Sequence, residues 1–198
     1  MHRSSQMTSV AAEVRNHREG DRMATEALAR RATGLALRTA TAILESREEA
    51  ADVAQDVAVD VLTSLGKLRD PDSFDAWVHR ITARHALRRL RRRRAAGRIE
   101  TPIDLLDSES EPTAPEGVDR AAVLAARQEL ASALATLPAK QQVALALRYV
   151  HDLPDEEIAA ALRCRTGTVH SLLSRARTRL RQDTRLAELA LAFQGGRQ

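Results

Sequence analysis

Hydrophobic and polar positions alternate with a helical period along most of the chain. One periodic stretch begins near Asp21 and continues through the segment ATEALARRATGLALRTATAIL. A break at ESREEA follows, in which Ser46 precedes Glu49 as expected for an N-terminal helix cap. The next stretch, EEAADVAQDVAVDVLTSLGKL, has apolar residues spaced four apart. They predict one buried seam, formed by Val53, Val57, Val61 and Leu65.

A third long helix is predicted for the segment SFDAWVHRITARHALRRLRRRR. Gly66 and the RDPDS stretch end the preceding helix, and Asp72 or Ser73 is suited to cap the new one. Its apolar positions have helical spacing and predict a core-facing side. They are Phe74, Trp77, Val78, Ile81, Leu87 and Leu90.

Helical periodicity resumes near Arg120 and continues to Pro138, which suits the first turn of the following helix. That helix, AKQQVALALRYVHDL, is followed by the short DEEIAAAL and then by RTGTVHSLLSRARTRLR. A brief turn, Arg163 to Arg165, separates the last two. This pair has the spacing of a helix-turn-helix motif, with its second helix turning Val169, Leu172 and Leu173 inward.

A change in composition divides the chain. Residues 99–119 hold seven acidic residues, three prolines and no Lys or Arg, which is typical of a linker. The composition also predicts an all-α protein. Aromatic residues are only 2%, and Ala, Leu, Arg and Glu dominate the periodic stretches. Two small helical domains are expected at 21–95 and 124–182, joined by an acidic flexible linker at 96–123. A disordered tail is expected at 1–20 and a C-terminal tail at 183–198.

The cysteine count and the hydropathy pattern narrow the class of protein. The single cysteine, Cys164, rules out an internal disulfide and provides no cysteine pair for a zinc site of the common thiolate type. No apolar run is long enough to span a membrane, and the N-terminus lacks the apolar core of a secretory signal. A cytoplasmic protein without membrane insertion is expected. The acidic residues are scattered, so neither a metal site nor an acid–base cluster is predicted, and we expect no cofactor and no enzymatic activity.

The second helix of the helix-turn-helix pair has a basic, polar outer face. In such motifs the N-terminal residues of this helix face base edges in the major groove, where Arg, Ser and His can all form hydrogen bonds. Arginines further along would suit phosphates. The alternative is an ordinary helical hairpin with a solvated basic face. The candidate contacts are Thr168, His170, Ser171, Ser174, Arg175 and Arg177.

Six of the seven residues from Arg88 to Arg94 are arginine. Their mutual repulsion calls for an anion nearby, and the backbone of a nucleic acid is the natural one. Alternatives are a basic arm without sequence preference, or pairing with the acidic linker. Phe74 and Trp77 open this helix and could stack on unpaired bases, although aromatic residues at helical spacing are more often core.

A polar, acidic face lies opposite the valine seam of the second long helix. It consists of Asp52, Gln55, Asp56 and Asp60. By itself this face is as readily explained by solvation as by a partner.

Together these stretches resemble a bacterial RNA polymerase sigma factor of the extracytoplasmic-function (ECF) type. The segment SREEAADVAQDVAVDVL is similar to the helix of region 2 that docks on the β′ clamp helices of the polymerase. FDAWVHRITARHALRRLRRRR resembles the segment that opens and reads the minus-ten element. The final helical segments, from LPAKQQVALALRYV to the C-terminal arginines, resemble region 4, which reads the minus-thirty-five element.

The resemblance implies partners and residue roles. It implies a sigma factor that binds core RNA polymerase, including the β flap, and promoter DNA, with an anti-sigma factor as a further partner. Gln55 and Asp56 would contact the polymerase, and the loop from Gly66 to Ser73 would handle the non-template strand together with the following helix. The linker would thread toward the active-site cleft. The minus-ten set is Phe74, Trp77, Arg80, Arg84, Arg88 and Arg91, and the upstream contacts include His170, Ser171, Ser174 and Arg175.

Several positions depart from the pattern of that family. Arg84 and Arg88 stand where Asn and Asp are usual, and Arg163 stands where the turn favours Gly. His170 replaces a usual Lys or Arg. Two alternatives to a sigma factor are a helix-turn-helix regulator that acts without polymerase and a degenerate sigma factor that titrates an anti-sigma factor.

Overall fold

The computed structural model describes residues 9–44, 46–95, 120–184 and 186. Within those ranges it contains helices and no strand, which confirms the predicted all-α class. The helices are α1 (Val10–Arg18), α2 (Arg22–Thr41), α3 (Arg47–Ser64), α4 (Phe74–Ala95), α5 (Arg120–Ala135), α6 (Ala139–His151), α7 (Asp155–Leu162) and α8 (Thr166–Arg181). Two short 3-10 turns, Leu65–Lys67 and Pro71–Ser73, connect α3 to α4.

A side-chain cap sets the start of α3, whereas α4 begins from a 3-10 turn. The hydroxyl of Ser46 accepts a hydrogen bond from the Glu49 amide at 3.2 Å, which confirms the predicted cap of α3. The predicted cap of α4 is wrong. Asp70 caps the 3-10 turn instead, accepting from the Asp72 amide at 3.1 Å, and this turn leads directly into α4.

The N-terminal segment is more ordered than its composition predicts. Residues 10–18 form α1, capped by Ser9 and packed against α2, so the expectation of a disordered tail is wrong for this part. Only Ala11 and Val14 of α1 are buried, and Val14 has no exposed surface. Two buried residues in nine are too few to produce a clear periodic pattern in the sequence. They are nevertheless enough to hold α1 against the apolar surface of α2.

The apolar seam of α3 lies in the core as predicted. Val57, Val61 and Leu65 have no exposed surface, and Val53 is 3% exposed. They pack against the apolar sides of α2 and α4, including Leu28 and Phe74. Burial of large aliphatic and aromatic side chains is the main stabilising contribution in such a bundle.

The two helical units form one continuous apolar cluster. α4 packs against α6 and α7, and α2 packs against α6. The guanidinium of Arg94 at the end of α4 donates to the carbonyl of Leu137, just before α6. The chain pattern predicted two domains on a tether and did not predict this docking. The predicted linker lies outside the described residues except for 120–123, which belong to α5.

Candidate nucleic-acid interfaces

The predicted acidic face of α3 is exposed on one side of the bundle. The side chains of Asp52, Asp56 and Asp60 are 56%, 70% and 52% exposed, and Gln55 is exposed with them. Val59 is 56% exposed at the same helical spacing. An exposed valine between carboxylates was not among the predicted residues. It gives this face an apolar contact point as well as negative charge.

Basic residues of α4 contact the edge of this acidic face. Arg89 lies 3.1 Å from carboxylate oxygens of both Glu49 and Asp52. Nε2 of His85 lies 2.8 Å from Oδ2 of Asp60. Such part-exposed pairs contribute little free energy individually, but together they hold α3 beside α4 and orient the outer carboxylates.

The arginine run of α4 is therefore divided by the helical repeat. Arg89 faces the carboxylates of α3, and Nη1 of Arg93 lies 3.7 Å from Oε2 of Glu49. These two arginines pair with a carboxylate of α3 in the free molecule, and their binding to phosphate stays a prediction. Arg88, Arg91 and Arg92 lie on a different side of α4 and line a cleft.

That cleft lies between α4 and the α6–α7 pair and has a volume of about 870 Å³. Arg80, Arg84, Arg88 and Arg91, which the resemblance assigns to the minus-ten element, all line it. They share one face of α4 because they are spaced three or four residues apart. The structure thus brings four of the six predicted minus-ten residues together as one basic stripe.

The two aromatic residues at the start of α4 have different environments. Phe74 has no exposed surface, so in this arrangement it belongs to the core and cannot stack on a base. Trp77 is partly exposed, lies 6.3 Å from the Phe74 ring between centroids, and lines the same cleft as the arginines. Trp77 is thus the aromatic residue available to a ligand.

The helix-turn-helix has the predicted bounds and turn. α7 ends at Leu162, Arg163 adopts the left-handed conformation with φ 50° and ψ 57°, and the amide of Cys164 donates to the Ala159 carbonyl at 3.0 Å. In α8, Val169 and Ala176 have no exposed surface. The inward residues of α8 therefore fix it against α6 and α7, leaving the opposite face to solvent.

Every residue predicted to read the upstream element is exposed on α8. They are Thr168, His170, Ser171, Ser174, Arg175 and Arg177. Three of them have partners within the protein, and one is Ser171, whose hydroxyl donates to the Gly167 carbonyl at 3.0 Å. Nε2 of His170 lies 2.8 Å from Oδ2 of Asp155, and Nε of Arg175 donates to the Ser171 carbonyl at 3.2 Å. To bond base edges, the side chains of His170 and Arg175 would have to give up these hydrogen bonds or share them with the DNA.

A second contact between the two units is made by a pair of histidines. The rings of His79 on α4 and His151 on α6 lie 4.1 Å apart between centroids. His79 is 3% exposed, and its Nδ1 has no hydrogen-bond partner among the described residues. Burial, reinforced by the neighbouring His151 and opposed by Asp75, lowers the pKa of His79 from 6.5 to about 4.

His151 is held by the buried Thr39. Its Nε2 lies 2.5 Å from the Thr39 hydroxyl, which is 2.9 Å from the Leu35 carbonyl. The hydroxyl has a single proton to give to that carbonyl, so the imidazole is the donor of the other bond. Burial and the nearby Arg38 lower the pKa of His151 as well.

Across the described ranges, no group of three or more His, Cys, Asp or Glu side chains is placed to hold a metal ion. Among the same residues, no helix is both long and apolar enough to cross a membrane.

Comparison with known proteins identifies the family. The chain matches the family model for Sigma-70 region 2 over residues 27–96 and that for Sigma-70, region 4 over residues 127–180. It is 32% identical to the ECF RNA polymerase sigma factor SigE of Mycolicibacterium smegmatis over 136 residues, which cover 69% of this chain and 52% of SigE. It is 31% identical to the ECF RNA polymerase sigma factor SigM of Mycobacterium tuberculosis, covering 83% of this chain and 79% of SigM.

The fold is also shared with a solved structure. CnrH, in complex with the cytosolic domain of CnrY, superimposes with a TM-score of 0.62 at 24% identity, covering 87% of this chain and 95% of that one. The fold and the two matched regions define a sigma-70-type transcription initiation factor. This chain belongs to the ECF sigma factors, which direct promoter-specific initiation by RNA polymerase.

Proposed function

We propose that three exposed surfaces of this chain perform the successive tasks of a sigma factor. The acidic face of α3 docks on the β′ clamp helices of core RNA polymerase, the basic stripe of α4 engages the minus-ten element, and the outer face of α8 reads the minus-thirty-five element. The observation that supports this best is that all three surfaces are free of core packing, although each lies on a helix whose opposite side is buried.

Docking through α3 is supported by the chemistry of its outer face. Asp52, Gln55, Asp56 and Asp60 offer acceptors on consecutive turns, and Val59 adds an apolar centre. A surface that combines an apolar point with a charged rim is typical of protein–protein interfaces. A DNA-binding surface would not carry this charge, because the phosphate backbone repels carboxylates.

Engagement of the minus-ten element requires the two helical units to move apart. Arg80, Arg84 and Arg88 face α7 across the cleft, so a DNA strand cannot lie along them while α7 remains in place. We infer that polymerase binding separates the units, since region 2 and region 4 then bind promoter elements on different parts of the DNA.

Recognition by α8 is supported by its polar, exposed N-terminal half. Arg175 can bond a guanine in two places, and His170 and the serines can donate or accept. Arg177 lies further from the N-terminus and suits a phosphate. Asp155 and the Ser171 carbonyl position His170 and Arg175 near the binding face before DNA arrives.

The remaining roles follow from the same proposal. The polymerase supplies the chemistry, so this chain needs no catalytic site or cofactor, and it acts where polymerase and promoter DNA are, in the cytoplasm. The β flap would hold region 4. An anti-sigma factor is proposed as a further partner, and the complex of CnrH with the cytosolic domain of CnrY supports it.

Run-off transcription with purified core polymerase on a promoter library tests the proposal. The double variant Gln55→Ala, Asp56→Ala should keep its helicity and lose affinity for core polymerase, because it removes the centre of the α3 face. The matched control Glu26→Ala, Gln182→Ala likewise removes one carboxylate and one amide side chain, from exposed positions elsewhere, and it should bind normally.

The outcome separates the alternatives. A regulator that acts without polymerase would bind DNA alone and would show no change in the α3 variant. A degenerate sigma factor would bind an anti-sigma factor and give no transcript. Equal core affinity of the α3 variant and its control would refute the docking assignment.

A further inference from the structure

Like charges face each other across the cleft between the two helical units. From α4, the arginines Arg80, Arg84, Arg88, Arg91 and Arg92 line one wall. From the other unit, Lys140 and Arg163 line the opposite wall. No acidic residue is among the described residues that line the cleft, and no ion pair with a described residue neutralises these cations.

This arrangement is electrostatically unfavourable when the cleft holds only water and monovalent ions. Like charges brought together across a part-buried gap repel one another more strongly than charges on an open surface. Apolar packing of α4 against α6 and α7 brings the walls together nonetheless. The closed arrangement would therefore gain stability from an anion with several charges placed between the two walls.

The backbone of Arg163 points to the same conclusion. Arg163 is in the left-handed conformation, which glycine adopts freely and which costs free energy for a residue with a Cβ atom. A helix C-terminus does not require arginine at this position. Here the strained residue lines the cleft and adds the second cation on the wall that α4 faces.

The dimensions and the floor of the cleft suit a compact ligand. Its volume of about 870 Å³ lies in the range of small-molecule sites. Trp77, Ile81, Leu87 and Leu162 provide an apolar floor beside the cationic rim. Guanidinium groups bind phosphate oxygens in a bidentate manner, and an indole ring stacks on a nucleobase.

We propose that the cleft between α4 and the α6–α7 pair binds a compact anion with two or more linked phosphates, of the nucleoside polyphosphate class. The anion bridges the α4 arginines to Lys140 and Arg163 and stabilises the closed arrangement of free protein. It thereby competes with promoter DNA for the stripe Arg80–Arg84–Arg88. Binding to polymerase is not needed for this step, so its test is independent of the proposed function.

The experiment titrates the full chain with inorganic tripolyphosphate by calorimetry at constant ionic strength, and follows the radius of gyration by small-angle X-ray scattering. We expect one anion per chain and a more compact protein. In the variant Lys140→Gln, Arg163→Asn the affinity should fall about tenfold or more, because two charged contacts are lost. Asparagine tolerates the left-handed conformation, so the turn is kept.

A matched control removes two cations outside the cleft. Arg22→Gln, Arg30→Gln makes the same change in net charge on the exposed side of α2 and should leave tripolyphosphate affinity within about twofold. ATP should bind more tightly than tripolyphosphate, and Trp77→Leu should remove that difference. Circular dichroism checks that each variant is folded.

Four results would overturn the proposal. They are the absence of binding to the unmodified chain, equal loss of affinity in the variant and its control, and binding of a single-stranded oligonucleotide but not of tripolyphosphate. The fourth is binding of tripolyphosphate only after the acidic residues of 99–119 are replaced by serine. That result would mean that the acidic segment, and not a small anion, neutralises the cleft. Run-off transcription without tripolyphosphate tests the sigma activity separately.

Discussion

Protonation of the histidine pair should open the contact between the two helical units. The tilted rings of His79 on α4 and His151 on α6 are in contact within the interface, so docking of the two units removes water from both. The charged groups around them come from four elements. Arg38 lies on α2, Asp72 in the 3-10 turn Pro71–Ser73, Asp75 on α4 and Glu157 on α7. Asp152 directly follows α6.

The sign of the pH effect follows from the lowered pKa values. His79 in the folded chain has a pKa of about 4, against 6.5 for an ordinary histidine, so the unfolded chain binds the proton more readily. The free energy of unfolding therefore falls as the pH falls from 6.5 toward 4. Between about pH 7.5 and about pH 5.5 the loss from His79 is about 1 kcal/mol, roughly a five- to tenfold change in the unfolding equilibrium. The pKa of His151 is lowered too, and its effect has the same sign.

Urea denaturation at the two pH values measures this loss, and small-angle scattering shows whether the units separate before unfolding. His79→Leu removes the titrating group and retains an apolar side chain of similar size. We expect the unmodified chain to lose about 1 kcal/mol more than this variant on acidification. His170→Gln is the control, since the His170 side chain is 74% exposed and should leave most of the pH dependence in place.

An equal pH dependence for the unmodified chain and His79→Leu would refute the reasoning. It would mean that His79 is as well hydrated when folded as when unfolded. A more open protein at neutral pH in His79→Leu would point instead to a packing role for the ring.

Further predictions concern single side chains. Phe74→Ala should destabilise the fold by about 3–5 kcal/mol in urea denaturation, because it leaves a cavity where no surface is now exposed. Arg163→Gly should stabilise the chain by about 1 kcal/mol in the same assay, since it relieves the left-handed strain. Arg175→Ala should cost roughly 1–3 kcal/mol of binding and relax one base position in a randomised upstream element. Arg84→Asn with Arg88→Asp should lower the log–log salt slope of promoter binding by about one to two units, and an unchanged slope would mean that neither arginine contacts DNA.

The local pattern of the chain determined most of the helices and the helix-turn-helix. The bounds of α7, the turn at Arg163 and the cap at Ser46 follow from contacts within a few residues, and the valine seam of α3 follows from its spacing of four. The outer faces of α3 and α8 follow as well, because a helix with one apolar side must expose the other. Helix α1 could not be predicted from the local pattern, because its two buried residues are buried only by packing against α2.

The distribution of charge was decided by the tertiary structure. In the sequence the six arginines form a single basic segment. The helical repeat and the position of α3 divide them into two groups with different surroundings. Arg89 and Arg93 pair with carboxylates of α3, and Arg88, Arg91 and Arg92 line a cleft. The burial of Phe74 was likewise decided by the tertiary structure, because it depends on helices distant in sequence.

The docking of the two helical units also had no signal in the chain pattern. It brings Arg163 to face the α4 arginines and places His79 against His151, pairs of residues that are more than seventy positions apart. Spacing along a helix reports which residues share a face, but it carries no information on which face of another helix will cover them. That choice is made by the packing of whole apolar surfaces, and here it sets the charge of the cleft and the pKa of the buried imidazole.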